Sequence, residues 1–110
     1  MAKLLHSVMV PLMGRQADRF HEYQPAKDLA ERLEMTKRVE GVDGIEVVYP
    51  SDFRELEEAV RLIKDAGLPV SAVNLNVKSA KKWQRGSFTA PDPQLRADAV
   101  ADLKIVMDLA

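Results

Sequence analysis

An α/β fold with parallel strands is the fold class that this sequence predicts. Three short apolar runs, each suited to a buried strand, lie at 4–13, 44–50 and 69–76. Each run is followed by a segment with helical periodicity, at 26–39, 53–66 and 93–110. Strands that alternate with amphipathic helices pair in parallel through right-handed crossovers. We therefore expect one domain, residues 1–110, built from three consecutive βα units.

The first unit begins with "LLHSVMVPLM", whose length and Val, Leu and Met content suit a strand buried on both faces. A polar connection follows from Gly14 to Pro25, and Pro25 is suited to the first turn of a helix. The predicted helix carries one apolar face and should stop at the glycines of "EGVDG". The members of that face are Ala26, Leu29, Ala30 and Leu33.

Capping residues mark the other two helices. Asp52 is a good N-cap for the second, and Glu55 three residues later completes a capping-box pattern. Gly67 should end that helix. Asp92 should cap the third helix, with Pro93 at its first position. The predicted buried faces are Phe53, Leu56, Val60 and Ile63 on the second helix, and Leu95, Ala99, Leu103, Val106 and Ala110 on the third.

Composition and net charge argue against several classes of partner and of binding site. The chain has 110 residues, a net charge of −1 and no cysteine. A near-neutral chain gives no overall electrostatic attraction to nucleic acid or to an anionic membrane, so neither is an expected partner. The missing cysteines exclude disulfides and thiolate metal sites, and they favour a cytoplasmic location. The run at 4–13 is too short to span a bilayer.

Three βα units leave part of the sheet without neighbours. A closed barrel of this type takes eight units, so three leave two strand edges open and one sheet face uncovered. A monomer of this kind exposes a large apolar surface. We therefore expect the chain either to belong to a larger protein or to associate with copies of itself.

Three segments resemble a known superfamily. "GVDGIEVVYPSDF", "VSAVNLN" and "RGSFTAPDPQLRADAVADLKIVMDLA" resemble the N-terminal part of xylose-isomerase-like TIM barrels, which include sugar and sugar-phosphate isomerases and epimerases. The most specific part is "GSFTAPDP" with the helix that follows it. The resemblance implies that the three βα units are part of a (β/α)8 barrel, completed by further sequence or by oligomerisation.

The resemblance also implies the chemistry of the complete barrel. A divalent metal (Mn, Mg or Co) polarises sugar oxygens there, and carboxylates move a proton beside the carbonyl carbon. The metal ligands of the superfamily lie on later strands, so none is carried over and we expect no cofactor in this chain. Catalytic residues stay unassigned, and the isolated chain is expected to be inactive.

Candidate sugar-binding residues lie on two of the predicted strands. Glu46 lies mid-strand, on the face opposite Ile45 and Val47, which would be the interior of a barrel. It would serve either as a structural interior residue or as part of a site. Asn74 and Asn76 lie at the C-terminal end of the third strand, where α/β barrels place their sites. Their amides could bind sugar hydroxyls or could turn the chain.

Two loops supply the remaining candidates. His21, in "DRFHEY", could bind a sugar or act as an acid or base, or simply lie in a surface loop. The loop 77–92 holds Lys78, Lys81 and Lys82 beside Trp83 and Arg85. Those last two residues could stack a sugar and hold a phosphate, or Trp83 could only anchor the loop. The leading hypothesis is an N-terminal barrel segment; the alternative is a self-associating protein that binds a sugar or sugar phosphate.

Overall fold

The computed structural model describes residues 2–110 and shows a mixed α/β fold with a parallel three-stranded sheet, as predicted. The strands are β1 (Ser7–Met9), β2 (Gln16–Ala17), β3 (Glu22–Gln24), β4 (Gly44–Tyr49) and β5 (Val70–Leu75). The helices are α1 (Leu29–Lys37), α2 (Leu56–Ala66) and α3 (Pro93–Leu109). Strands β1, β4 and β5 form the sheet in that order, all parallel, and β2 and β3 form a separate antiparallel hairpin.

The first strand is much shorter than the predicted 4–13. Strand β1 ends at Met9 and continues as a 3-10 helix (Val10–Met13), where Pro11 has no N–H for a further strand pairing. Upstream, β4 begins at Gly44 opposite Ser7, so residues 4–6 have no strand beside them. Leu4 and Leu5 are exposed as a result.

Local capping decides where two of the helices begin. Asp28 caps α1: its carboxylate accepts from Glu31 N at 2.8 Å, and Glu31 accepts from Asp28 N at 3.1 Å. This box starts the helix three residues after the predicted position 26. Asp92 caps α3 as predicted, since its side chain accepts from Gln94 N at 2.8 Å.

The predicted start of α2 is wrong. The helix begins at Leu56 with Glu55 as its N-cap, and Asp52 lies ahead of it with its carboxylate turned into the protein. Leu56, predicted to be buried, is exposed, and so is Leu103 of the predicted apolar face of α3. The predicted end is confirmed, because Gly67 adopts a left-handed conformation with φ of 74°.

The hydrophobic core lies on one face of the sheet. Ile45 and Val47 point from β4 toward the helices and are fully buried, while Glu46 and Val48 point the other way and are half-buried. The core cluster consists of Val10, Leu33, Ile45, Val47, Phe53, Ala59 and Ile63. We name the opposite side, carrying Glu46 and Val48, the open face.

Gly44 fixes the start of the sheet. A Cβ at this position would lie 2.8 Å from Pro69 O and 3.0 Å from Ser7 Oγ, so no side chain fits there. Gly44 pairs with Ser7 of β1, and Ile45 N donates to Pro69 O at 2.9 Å. The three parallel strands therefore approach one another closely around this glycine.

Candidate functional site

The open face carries a polar pair across two adjacent strands. Asn74 lies opposite Val48 in the register of β4 and β5, and its Nδ2 donates to Glu46 Oε2 at 3.1 Å. Both side chains are half-buried. In the described part of the chain, Glu46 has no ion-pair partner and Oε1 of Glu46 accepts no hydrogen bond. The pair therefore keeps free acceptor atoms on a surface that water only partly reaches.

Asn76 does not join this pair. Its Oδ1 accepts from Lys78 N at 3.1 Å and from Ser79 N at 3.0 Å, and its Nδ2 donates to Ser79 Oγ at 2.8 Å. Its backbone N–H donates to Tyr49 O at 2.8 Å, which continues the pairing of β5 with β4 by one residue. An asparagine side chain commonly forms turns in this way. Both polar atoms of the Asn76 amide are therefore bonded within the loop.

Trp83 lies inside the loop that follows β5. It ends a 3-10 helix (Lys81–Trp83), and only 5% of its surface is exposed. The ammonium of Lys82 lies 4.4 Å from the centroid of its ring. Burial makes Trp83 an anchor of the loop rather than an open stacking platform. Arg85 follows it on the exposed surface and makes no hydrogen bond within residues 2–110.

His21 lies at the tip of the β2–β3 hairpin and is exposed. The tip is organised by Asp18, whose carboxylate accepts from Phe20 N at 2.7 Å and His21 N at 2.8 Å, and also from the hydroxyl of Tyr23. The Tyr23 hydrogen bond, followed by the Phe20 and His21 amides, lowers the pKa of Asp18. The same bond raises the pKa of Tyr23. No hydrogen bond of the described residues links His21 to the Glu46–Asn74 pair.

The hairpin itself was not predicted. The sequence from Gly14 to Pro25 has no alternating apolar pattern, and its two strands have only two and three residues. Side-chain hydrogen bonds add to the few backbone hydrogen bonds between β2 and β3. Gln24 Nε2 donates to Met13 O at 2.7 Å, and Arg15 Nε donates to Glu22 Oε2 at 2.7 Å.

A buried ion pair is the second polar feature that the sequence did not reveal. Arg32 Nη1 donates to Asp52 Oδ1 at 2.5 Å, with the side chains 12% and 0% exposed. Asp52 Oδ2 accepts from Val48 N at 2.7 Å, so both carboxylate oxygens are bonded. The sequence does contain an indication of this ion pair, because Arg32 falls on the same helical face as Leu29 and Leu33. A cation on a buried face requires a buried partner.

This ion pair borders a cleft on the helix side of the sheet. The cleft has a volume of about 570 Å³ and lies between the amino-terminal ends of α1 and α2. Its charged side chains are of both signs. They are Arg15, Lys27, Asp28, Arg32, Asp52, Arg54, Glu55 and Glu58. The cleft is separate from the open face, because its walls are helices and loops on the other side of the sheet.

Residues 2–110 contain no group of three or more His, Cys, Asp or Glu side chains arranged to hold a metal ion. The residues present therefore do not fit the divalent metal that the superfamily resemblance implies for a complete barrel. Across the same range, no helix is both long and apolar enough to cross a membrane.

Two comparisons with known proteins complete the description of the site. No protein-family model matches the sequence, and no curated protein matches it either.

Proposed function

We propose that the chain is the N-terminal βα segment of a xylose-isomerase-like barrel, and that the open face of its sheet binds a sugar. The observation that carries this proposal is the hydrogen bond from Asn74 to Glu46 on the face turned away from the helices. In a barrel of this class the face away from the helices lines the interior. The proposal therefore makes Glu46 and Asn74 substrate contacts.

The chemistry of the pair suits a polyhydroxylated ligand. A carboxylate accepts several hydrogen bonds, and an amide offers one acceptor and two donors. Asn74 uses one donor on Glu46, which leaves Oε1 of Glu46 and Oδ1 of Asn74 for two neighbouring hydroxyls. Hydrogen bonds to the charged carboxylate are the stronger ones. Val48 and Ala72 provide an apolar floor beside the pair, where the C–H groups of a sugar ring can lie.

The proposal gives this chain a role in binding and no catalytic step. The superfamily chemistry uses a divalent metal, and the described residues do not form a site that fits one. The proposal assigns no proton transfer to the described residues. Glu46 is proposed to orient a sugar hydroxyl.

Nuclear magnetic resonance can test the sugar contact directly. Titration of the ¹⁵N-labelled protein with D-xylose, and separately with a ketose phosphate, should shift the amide signals of Val48, Ala72 and Asn74. The variants Glu46→Gln and Asn74→Ala should weaken those shifts. Glu57→Gln, an equally small change on the exposed face of α2, is the matched control and should leave them intact.

Two results would contradict the proposal. One is the absence of sugar-dependent shifts on β4 and β5 at saturating sugar. The other is a set of shifts that Glu46→Gln and Asn74→Ala leave unchanged, which would place the sugar elsewhere. Comparison of xylose with the phosphorylated ketose distinguishes a contact to ring hydroxyls from one to phosphate.

A further inference from the structure

The cleft between the amino-terminal ends of α1 and α2 is large enough to hold a small metabolite. Its volume of about 570 Å³ lies within the range of about 300–1,000 Å³ that is usual for small-molecule sites. Apolar side chains from both helices and from the connections before them form much of its wall. They are Pro11, Ala26, Leu29, Ala30, Ala59 and Leu62. An apolar concave wall with a few charged groups is typical of a ligand site.

Arg32 brings a mostly buried guanidinium with unused donors to this cleft. Its Nη1 donates to Asp52 Oδ1, and its Nε donates to Asp28 O at 3.3 Å. Its Nη2 donates to no acceptor among residues 2–110. Within that range no buried side-chain nitrogen or oxygen lacks a hydrogen-bond partner, so Nη2 must lie at an accessible surface. The cleft that Arg32 lines supplies such a surface, although only 12% of the side chain is exposed.

Two further cations of the cleft have no charged partner. Lys27 directly precedes the N-cap of α1 and is half-buried, and Arg54 directly precedes the N-cap of α2 and is exposed. Neither forms an ion pair within the described residues. A half-buried ammonium without an acceptor has lost part of its hydration and gained nothing in exchange. An anion in the cleft would supply that acceptor.

The carboxylates of the cleft are largely engaged elsewhere. Asp52 is bonded through both oxygens, and Asp28 belongs to the capping box of α1. Glu58 lies 3.7 Å from Arg61. Glu55 is exposed and has no ion-pair partner in the part of the chain that the structure describes. The cleft therefore keeps more free donors on its cations than free acceptors on its acids, which favours a negatively charged ligand.

We propose that this cleft binds a small oxyanion, the phosphate or carboxylate group of a metabolite, between Arg32 Nη2 and the side chains of Lys27 and Arg54. Guanidinium and ammonium groups are the usual partners of these oxyanions, and hydrogen bonds between charged partners are the strong ones. Asp52 holds the guanidinium in position, and the anion takes the donors that Asp52 leaves free. The cleft lies on the helix side of the sheet, so this site does not depend on the sugar contact of the open face.

Titration of the ¹⁵N-labelled protein with inorganic phosphate, and separately with citrate, tests the proposal. We expect saturable shifts of the Lys27 and Arg54 amide signals and of the Arg32 side-chain Nε–H signal. Sodium chloride at the same ionic strength controls for screening and should not reproduce them. A response to phosphate alone supports a phosphate site, and a response to citrate alone supports a carboxylate site. Shifts that chloride reproduces, or no saturable shift with either anion, would overturn the proposal.

Charge substitutions should change the affinity in opposite directions. Lys27→Gln should weaken phosphate or citrate binding about tenfold or more, because it removes a hydrogen bond between charged partners. Glu55→Gln removes an unpaired negative charge from the cleft and should strengthen binding. Lys64→Gln is the matched control, since it removes the same charge as Lys27→Gln in the last turn of α2 and should leave the affinity unchanged. Arg32 is kept intact because the loss of its buried ion pair would destabilise the fold.

The variants and the two ligand classes keep the outcomes apart. Equal losses of affinity in Lys27→Gln and Lys64→Gln would mean that the anion responds only to net charge, which contradicts a site in the cleft. Inorganic phosphate carries no sugar hydroxyls, so its shifts report on the cleft and not on the open face. Saturable phosphate shifts at Lys27 and Arg54 without any sugar-dependent shift on β4 and β5 would support this site and contradict only the proposed function.

Discussion

Arg32 and Asp52 form a buried ion pair of 2.5 Å that connects α1 to the segment between β4 and α2. The carboxylate has no exposed surface, and its second oxygen accepts from the backbone of Val48. The pair thereby links a helix, a loop and the central strand of the sheet. Removal of one partner from such a pair leaves the other charge buried and unpaired, which is strongly destabilising.

Asp52→Ala should therefore be one of the most destabilising single substitutions in the protein. We expect a loss of about 3–5 kcal/mol in the free energy of unfolding, measured by urea denaturation. Glu34→Ala is the matched control, because it removes an exposed ion pair with Lys37 at 3.1 Å; exposed pairs contribute less than about 1 kcal/mol. Equal losses for the two variants would show that the buried pair is not structurally important.

Asp28→Ala should weaken the start of α1. The substitution removes the acceptor for Glu31 N, and loss of an N-cap costs about 0.5–2 kcal/mol. Asp28→Asn keeps a capping side chain and should retain most of the stability. The measurement is again urea denaturation, and a loss in Asp28→Asn as large as that in Asp28→Ala would argue against the cap.

Tyr23→Phe should raise the pKa of Asp18 toward its ordinary value of 3.8. The hydrogen bond from the Tyr23 hydroxyl contributes most to the lowering of this pKa. The hydrogen bonds from the Phe20 and His21 amides remain after the substitution. A lowered carboxylate pKa contributes stability that is present above the ordinary value and is lost as pH falls through the folded value. The substitution should therefore change the pH dependence of stability only in acid, below about pH 4.

The side-chain carboxyl ¹³C shifts of Asp18 and Asp43 measure this change. The pKa of Asp43 is also lowered, by the His6 amide and then by Lys3. Asp43 should titrate identically in the wild type and in Tyr23→Phe, which makes it an internal control. An unchanged Asp18 midpoint in the variant would mean that the Tyr23 hydroxyl does not bind this carboxylate in solution.

Trp83 should report on folding and not on sugar binding. It is the single tryptophan of the chain and is 5% exposed, so its emission should lie at short wavelength and acrylamide should quench it weakly. A sugar bound at Glu46 and Asn74 should leave that emission unchanged. Fluorescence titration measures this, and quenching by D-xylose would favour Trp83 as the contact over the open face.

Sequence reasoning succeeded where the determining interactions are local. Asp92 and Pro93 start α3 because cap and helix are adjacent in the chain, and Gly67 ends α2 for the same reason. The alternation of β4 placed Glu46 opposite Ile45 and Val47, as the structure shows. The parallel order of the strands followed from the alternation of strands and helices.

Prediction from the sequence failed where a residue distant in the chain binds a side chain that local spacing assigns to a helix cap or a turn. Asp52 has the sequence pattern of an N-cap, but Arg32, twenty positions earlier, and the backbone of Val48 bind its carboxylate instead. Asn74 and Asn76 are two residues apart, yet one bonds across the sheet and the other turns the loop. Neither outcome is visible in short-range spacing.

Gly44 has a consequence that reaches as far as the open face. In a strand, a shift of one residue transfers every side chain to the opposite face. Only a residue without a Cβ fits where Ser7 and Pro69 meet, so a β4 shifted by one residue would bring a side chain against both of them. A slipped β4 would bury Glu46 among the helices and turn Ile45 to the outside. The residue without a side chain thus determines on which side of the sheet the acid lies.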